Sequence, residues 1–246
     1  HNLPLDYPRP AQQVFEGAQH YSRLSAATTQ QLKDLCQAQG STVFMGLHAA
    51  LSALLRRYSG EGDIVVGSPI ANREQSEVAG LIGFFVNTLV LRSTVSGSDS
   101  FASLLAQSRE TSLSAYAHQQ VPFEHLVETL KPERSLSHGP LFQIMLSVQN
   151  NDDFEIDLPD IEVTLLEGQR SHTKHDLTLN INEDASGLSL EWEYNTSLFK
   201  CRTIEGMAVH FINLLEAMLA QPDTAVSSFP ILTEVEERQL QAWNAT

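Results

Sequence analysis

The sequence predicts an α/β domain, because segments with helical and strand-like apolar patterns alternate along its 246 residues. Three amphipathic segments with helical spacing occupy the first half, and short runs of branched apolar residues separate the second from the third. From residue 142 onward the apolar positions alternate with a period of two, which is typical of strands with one buried face. With 42% hydrophobic and 18% charged residues, the chain can bury a substantial core.

Two consecutive helices come first. Ser25 is predicted to cap the first helix, and Gly40 suits its C-terminal end. Ser41 is predicted to cap the second helix, whose broad apolar stripe runs to the break at Ser59 and Gly60. The width of this stripe predicts a helix that is mostly buried.

Two strands and two helices follow. DIVVGSP at 63–69 has no alternation, so we expect a central strand that is covered on both faces. FFVNTLVLR at 84–92 predicts a second strand. The apolar spacing at 101–115 predicts a helix, and Pro122 is predicted to open a short helix that Pro132 stops.

The last third of the chain predicts three strands and a long helix. Alternation predicts strands at 142–149, 177–182 and 188–194, and the EDASG segment between the last two predicts a hairpin. Apolar residues at helical spacing predict a helix at 204–218. The remaining residues, 223–246, have the pattern of a tail or linker.

Composition excludes several classes of function. The formal charge of −15 and the absence of a Lys/Arg run argue against nucleic acid binding. No apolar run approaches the roughly twenty residues of a membrane span and the N-terminus lacks a signal peptide, so we expect a cytoplasmic protein that does not bind a membrane. Cys36 and Cys201 are expected to be buried reduced thiols. The opening HNLPLDYPRP is predicted to be a connector that follows an upstream segment.

The stretch SHTKHDLTLN at 171–180 is the only segment that suggests a reactive histidine. His172, His175 and Asp176 could belong to an acyltransfer site, to a metal site or to the polar entry of a strand. We favour the polar strand entry, because the alternation from Asp176 onward places residues three apart on opposite faces. His48 is expected in the core, and His210 has no feature that distinguishes it. The chain has no G-x-S-x-G elbow, phosphate loop, G-x-G-x-x-G or C-x-x-C motif.

Longer segments resemble the characteristic motifs of a known family, the condensation domains of nonribosomal peptide synthetases, and specifically their C-terminal half. The segments are VVGSPIANRE at 65–74, IGFFVNTLVLR at 82–92 and AHQQVPFEHLVETLKPERSLSHGPLFQIMLSVQN at 117–150. The similarity runs from LPLDYPRP through YNTSLF to LTEVEERQLQAWNAT. It implies a connector from a missing N-terminal half at 1–20, a condensation-domain C-terminal subdomain at 21–222 and a linker toward an adenylation domain at 223–246.

The resemblance implies a fold and an activity. The fold would be a half that is similar to chloramphenicol acetyltransferase, with a mixed β-sheet flanked by helices. Together with its N-terminal half, such a domain forms peptide bonds between carrier-bound thioesters. Its partners would be that N-terminal half, peptidyl carrier proteins and a downstream adenylation domain. No cofactor would bind directly, since the phosphopantetheine arms belong to the carrier proteins.

The resemblance places no catalytic residue and no metal ligand in this chain. The family's functional histidine lies in an H-H-x-x-x-D-G motif of the N-terminal half, and this sequence lacks that motif. The chain alone is therefore expected to be inactive. A non-catalytic docking module and the half of an epimerization domain remain as alternatives.

The residues that the resemblance implies for the substrate tunnel form two groups. The loop beneath the active site would consist of Ser68, Pro69, Ile70, Ala71, Asn72 and Arg73. Residues with a structural or tunnel-lining role would be Gly83, Phe84, Phe85, Asn87, His118, Gln119, Pro122, Phe123 and Glu124.

Specific roles are expected for some of these side chains. Arg73 either pairs with a carboxylate across the interface between the halves or lies on the surface. Gly83 would allow a close approach of the backbone, and Phe84 and Phe85 would lie on opposite faces of a strand. We expect Asn87 to bond backbone groups rather than to take part in chemistry. A hydrogen-bonded structural role is favoured for His118 over a titrating one.

Overall fold

One mixed β-sheet organises the part of the chain that the computed structural model describes, residues 1–73, 77, 80–149 and 171–245. Its six strands run in the order β1-β6-β5-β4-β2-β3. Their bounds are Gly17–Ser25 (β1), Asp63–Ile70 (β2), Asn87–Thr94 (β3), Ile144–Gln149 (β4), Leu177–Asp184 (β5) and Gly187–Asn195 (β6).

Parallel pairing is confined to the middle of the sheet. β4 is parallel to β5 and to β2, whereas the β1/β6, β5/β6 and β2/β3 pairs are antiparallel. The β5–β6 hairpin closes at the pair Asp184↔Gly187. The prediction of an α/β fold with a mixed sheet is confirmed, and so is the predicted hairpin.

Four of the helices pack together on one face of this sheet. The bounds of the described helices are Ala26–Ala38 (α1), Val43–Ser59 (α2), Phe101–Tyr116 (α3), Phe123–Leu130 (α4), Cys201–Ala220 (α5) and Glu234–Asn244 (α6), with a 3₁₀ turn at Val226–Ser228. Because α2 contacts α1, α3 and α5, these four helices share one side. β2 was expected to be covered on both faces. The helices cover the face on which the buried Ile64 and Val66 lie, and the ring of Phe142 covers the other face at Gly67.

The core lies between β5 and β6 and the long helix α5. Trp192 and Phe211 are fully buried and meet edge to face, with ring centroids 5.6 Å apart. The indole Nε1 of Trp192 donates to Ser22 Oγ at 3.0 Å, so its polar atom is satisfied. By length and composition α5 could cross a membrane, but eight of its residues are buried inside the domain, as in the core helix of a globular protein.

Helix capping follows the predictions with one exception. Ser25 caps α1 and accepts from the backbone of Thr28, and Gly60 ends α2 in the left-handed conformation. The prediction of Ser41 as the cap of α2 is wrong, because Thr42 accepts from the backbone of Met45 and therefore occupies the cap position.

One strand was not predicted, and two others begin later than predicted. β4 begins at Ile144 rather than at residue 142. The sequence did not predict β1, because it is an edge strand in which Leu24 alone is fully buried and polar residues prevail. β3 begins at Asn87 rather than at Phe84, so Phe84 and Phe85 precede the strand and do not fill its two faces.

The cysteines differ from each other in burial. Cys36 is buried as expected, and burial raises the pKa of its thiol to about 11. The expectation of a buried Cys201 is wrong, since this residue is exposed at the first position of α5, where the helix leaves the core.

Candidate functional site

The sequence-predicted loop beneath the active site begins inside the sheet. Ser68, Pro69 and Ile70 are the last residues of β2, so the loop proper starts three residues later than expected. Asn72 in this loop has a left-handed backbone with a φ of 52°. Ile70 in β2 is paired with Asn87 in β3. This pairing brings two of the segments that resemble the family side by side.

Arg73 folds back onto the segment that follows the loop. Its Nη1 donates to the carbonyl of Leu81 at 2.7 Å, and its guanidinium lies over the Phe85 ring at 4.3 Å from the centroid. A Cβ at Gly83 would lie 2.8 Å from a carbon of the same ring, so glycine permits this packing. Phe84 points outward and is 93% exposed. Arg73 thus helps to order an apolar loop, whereas its pairing across an interface stays a prediction.

Asn87 ties the start of β3 to the segment before α4. Its Nδ2 donates to the carbonyls of Gln119 and Val121, each at 2.8 Å, and its Oδ1 accepts from the Phe123 amide at 3.1 Å. Both functional groups of the side-chain amide are therefore satisfied by backbone groups. These hydrogen bonds agree with the expectation that Asn87 bonds backbone groups.

Phe142 joins two of the motif segments, 65–74 and 117–150, to the stretch before β5. A Cβ at Gly67 would overlap the Phe142 ring, so only glycine leaves room for the ring against β2. Phe142 also meets Phe123 edge to face at 5.6 Å and lies 5.3 Å from the His175 ring. Burial lowers the pKa of His175, which favours its neutral form beside these aromatic rings. Neither Gly67 nor Phe142 was predicted to have a role at the site, although a glycine within a strand is a signal of close approach.

The residues of the H-Q-x-x-P-F-E segment surround the start of α4. His118 donates from Nδ1 to the Ser114 carbonyl at 2.9 Å, and this hydrogen bond agrees with a structural role for His118. Pro122 is the N-cap residue of α4, and Glu124 lies exposed in its first turn, where a carboxylate interacts favourably with the helix dipole. His118 and Phe123 line a groove of about 560 Å³ beside β3.

A second groove lies at the end of β2. It has a volume of about 470 Å³, and its walls include Thr42 and Phe44 at the start of α2, Tyr116 at the end of α3, and Ser68 and Ile70. Five of the predicted tunnel residues thus line two open grooves, Ser68, Pro69 and Ile70 the second and His118 and Phe123 the first, and the others line neither. Among the described residues, no three His, Cys, Asp or Glu side chains are grouped closely enough to hold a metal ion.

The histidines and the aspartate of SHTKHDLTLN do not form one cluster. His172 is exposed, and its Nδ1 lies 3.0 Å from Ser171 Oγ. Asp176 is buried just before β5, where its carboxylate binds the guanidinium of Arg9 and, at 2.8 Å, the Nε2 of His1. Asp176 therefore anchors the N-terminal segment, which agrees with a polar strand entry.

Two other histidines are buried. His48 is in the core as expected, with Nδ1 2.8 Å from Ser108 Oγ, and burial lowers the pKa of His48 to about 4. His210, to which the sequence gave no role, lies between Tyr58 and Glu236. No local pattern could have found this contact, since its partners come from α2 and α6.

Comparisons with known proteins agree on one family. The family model described as "Condensation domain" matches residues 1–241. A linear gramicidin synthase protein of Brevibacillus parabrevis is 48% identical over an alignment of 250 residues, which covers 99% of this chain and 5% of that protein. Malpibaldin synthetase of Mortierella alpina is 43% identical over 99% of this chain and 4% of its own length. The chain thus spans about a twentieth of the curated relatives that it matches.

Solved structures share the fold. A holo four-domain nonribosomal peptide synthetase bound to AMP and glycine superposes with a TM-score of 0.87 at 27% identity, over 96% of this chain and 19% of that one. An X-domain in complex with OxyB from teicoplanin biosynthesis gives 0.87 at 26% identity, over 94% of this chain and 52% of the other. Since the family model covers nearly every residue and the relatives align over nearly the whole chain, this chain belongs to the condensation domain family.

Proposed function

We propose that this chain is the acceptor-side, C-terminal half of a condensation domain of a nonribosomal peptide synthetase. Together with its N-terminal half it forms peptide bonds between aminoacyl or peptidyl thioesters that carrier proteins present. In this proposal residues 21–222 are the subdomain, residues 1–20 connect it to the N-terminal half, and residues 223–246 lead toward an adenylation domain. The protein works in the cytoplasm.

The observation that carries the proposal is the convergence of the motif segments at one end of the sheet. Asn87 bonds the backbone from Gln119 to Phe123, and Phe142 packs on both Phe123 and Gly67. Three segments that are distant in sequence therefore build one wall. A wall whose residues are locked by backbone hydrogen bonds and aromatic packing is suited to holding a substrate channel in a fixed shape.

The same end of the sheet presents an apolar loop. Leu81, Ile82, Phe84 and Val86 are all exposed, and Ile82 and Phe84 are almost fully so. Contiguous apolar residues on a surface mark interaction sites more often than chance contacts. The N-terminal half is the partner that this loop would contact, and the tunnel would lie between the two.

The groove at the end of β2 has the chemistry that a phosphopantetheine arm requires along its path. Ser68 and Thr42 supply hydroxyl groups for the amides of such an arm, and Phe44, Ile70 and Tyr116 supply apolar walls. The arm itself stays attached to the carrier protein and delivers a thioester. These residues would guide the arm and exclude water along it.

Chemistry in the proposed domain depends on the N-terminal half. The 246 residues contain no H-H-x-x-x-D-G motif, and a general base or positioning histidine contributes roughly a hundredfold to ten-thousandfold in rate. The chain alone is therefore expected to form no amide between carrier-bound thioesters, and adding an N-terminal half that carries the motif is expected to restore the reaction.

Reconstitution with carrier-bound aminoacyl thioesters tests the proposal, with dipeptidyl thioester formation as the readout. His172→Ala serves as a control, because His172 is exposed and its replacement is expected to leave the reconstituted rate nearly unchanged. A loss of more than about a hundredfold with preserved folding would contradict the assignment of the acting histidine to the other half. Turnover by the chain alone would contradict it as well.

A second candidate function is a non-catalytic docking module. The likeness to an X-domain solved in complex with OxyB favours this alternative, because that neighbour shares the fold at a TM-score of 0.87. The same reconstitution separates the two. Tight assembly with the N-terminal half and carrier proteins but no dipeptidyl product would support docking and overturn the catalytic proposal.

A further inference from the structure

The C-terminal segment is attached to the domain in two different ways. The 3₁₀ turn at Val226–Ser228 is bound firmly: Val226 is fully buried, and its amide donates to the Asp99 carbonyl at 2.8 Å. Arg57 Nη1 donates to the carbonyls of Val226 at 3.0 Å and Phe229 at 2.9 Å. A charged donor on carbonyls at the end of a turn stabilises that turn.

Helix α6, which follows the turn, is attached to the domain by far fewer contacts. None of its residues from Glu234 to Asn244 is buried, and Val235 and Trp243 are 66% and 64% exposed. Among the described residues, the hydrogen bonds from α6 to the rest of the domain all involve Glu236 and His210. With 11 residues, α6 is also shorter than the roughly 12 to 15 residues at which an isolated helix becomes even marginally stable in water.

One carboxylate serves both the fold of α6 and its attachment. Glu236 Oε2 accepts from the amide of Thr233 at 2.7 Å and from its hydroxyl at 2.8 Å, which completes a capping box. The same oxygen lies 3.0 Å from His210 Nε2. Burial alone would raise the pKa of Glu236, but the hydrogen bonds from Thr233 and His210 lower it, so the carboxylate is ionised at neutral pH.

His210 is held in place to receive this carboxylate. It is buried on α5, and its Nδ1 lies 2.6 Å from the hydroxyl of Tyr58 on α2. A neutral imidazole that accepts from Tyr58 carries its proton on Nε2, and an imidazolium carries a proton on both nitrogens. In either state Nε2 donates to Glu236, so the contact does not depend on the charge of His210.

We propose that α6 is a detachable arm that the Glu236–His210 contact latches onto the domain, while the turn at 226–228 stays bound when the latch opens. Residues 230–232 then act as the hinge. In the latched state α6 leaves the domain in one fixed direction, and in the open state its short helix loses its docking contact and retains only its own capping box. The latch therefore controls the placement of whatever follows α6, independently of the proposed catalytic function.

Glu236→Gln tests the latch, because glutamine preserves the capping box but removes the carboxylate that faces His210. Glu237→Gln is the matched control, since Glu237 is exposed in the same helical turn and does not contact His210. Hydrogen–deuterium exchange of the amides of 236–244 and trypsin cleavage after Arg238 report the opening of α6 in the full chain. We expect both rates to rise about tenfold in Glu236→Gln, the scale of a lost hydrogen bond to a charged group.

Amide exchange in the core strands distinguishes the opening of α6 alone from a general loss of stability. Amides of Ile181 in β5 and Leu190 in β6 should exchange at the same rate in the original chain and in both variants. Equal opening of α6 in Glu236→Gln and Glu237→Gln would overturn the latch. An equal acceleration of α6 and of the β5 and β6 amides in Glu236→Gln would overturn the detachable arm, because α6 would then unfold together with the core.

Discussion

The two ends of the six-stranded sheet differ in how completely their strands are paired and their apolar side chains are covered by the rest of the chain. At one end, β1 pairs with β6 without interruption from Gly17↔Asn195 to Ser25↔Gly187, and α1 and α5 cover the strands. At the other end, β2 meets β4 at the single pair Gly67↔Met145, and the loop before β3 exposes Ile82 and Phe84. The first end closes its core within the chain, whereas the second leaves apolar groups without cover.

The β1 end of the domain therefore contributes mainly to stability, whereas the β3 end is suited to binding a partner. At the β1 end, β6 buries Leu188, Leu190, Trp192 and Tyr194, so these side chains contribute mainly to the core. Two of the segments that resemble the family, 65–74 and 82–92, lie at the β3 end, and there the contacts are specific: an amide on three backbone groups, and a ring on a glycine. An end that is built from specific contacts yet apolar on its surface is typical of an interface.

The largest predicted effect is at the closed end. Phe211→Ala removes a fully buried ring that meets Trp192 edge to face, and we expect a loss of about 3–5 kcal/mol in the free energy of unfolding. Urea denaturation followed by Trp fluorescence measures it. A loss below about 1 kcal/mol would contradict the comparison, because it would mean that the β1 end is not the main store of stability.

The next largest effect is a loss of unfolding free energy in acid, which we expect from His48 on α2. His48 is buried and neutral, and its pKa is lowered to about 4 by burial. Between pH 6.5 and 4 the unfolded chain binds a proton at this residue that the folded chain does not, so stability is full above pH 6.5 and falls as the pH drops toward 4. The loss is on the order of 3 kcal/mol.

Comparison with His48→Met isolates this contribution, since other groups also titrate in the same range. The substitution removes the proton-binding group and is expected to flatten the pH dependence of the unfolding free energy, whatever constant cost it adds by leaving Ser108 without its partner. Parallel pH profiles for the two proteins would show that His48 does not carry the effect.

A smaller effect is expected at the contact between β2 and Phe142. Gly67→Ala places a methyl group where the Phe142 ring lies, and the ring must move away from Phe123 and His175. We expect a loss of about 1–3 kcal/mol in unfolding free energy, the range of overpacked sites. Gly206→Ala is the control, because a Cβ there meets nothing within 4 Å and alanine favours a helix by up to about 1 kcal/mol.

If both alanine variants change stability by the same amount and sign, the close approach at Gly67 has no energetic consequence. Opposite signs, with Gly206→Ala the more stable protein, are the expected result.

Two substitutions of Asn87 test whether its side chain bonds the backbone as described. Asn87→Ala loses its hydrogen bonds to the 119–123 backbone and is expected to cost about 1–2 kcal/mol of unfolding free energy. Asn87→Asp still accepts from Phe123 but turns a carboxylate toward the carbonyls of Gln119 and Val121, so we expect it to be the less stable of the two. Denaturation and exchange of the Phe123 amide measure this, and an aspartate variant as stable as the original chain would contradict the proposed bonding.

Periodicity predicted the closed end of the sheet well. The strict alternation of 188–194 and the apolar spacing of 204–218 directly reflect burial on one face, and both elements form as expected. β1 escaped prediction because an edge strand can be built from polar residues that satisfy only one neighbour. Ser41 and Thr42 are chemically equivalent caps, so the sequence could not choose between them.

The candidate site was less predictable, because its contacts join segments that are distant along the chain. The resemblance named Asn87 and Phe123 but could not show that one bonds the amide of the other. The contact of Gly67 with Phe142 depends on β4 lying next to β2, and a strand order of this kind is a non-local property. His210 and Glu236 are an equally distant pair, and neither residue has a local pattern that indicates the other.

The smallest effect on stability, and the most informative for the comparison, is expected from Phe84→Ser. Phe84 is 93% exposed, so its replacement should change the unfolding free energy by less than about 0.5 kcal/mol. If the N-terminal half covers this loop, a buried Phe contributes about 1.5–3 kcal/mol to binding, and the variant should bind that half about tenfold to a hundredfold more weakly. Leu136→Ser is the control, because Leu136 is 77% exposed but follows α4 and lies outside the loop. Sedimentation of each variant over a range of concentrations, alone and with the N-terminal half, measures the affinities. Equal weakening by both substitutions, or a chain that binds no N-terminal half at all, would show that the open end of the sheet is not the interface, and the contrast between the two ends would then reflect packing alone.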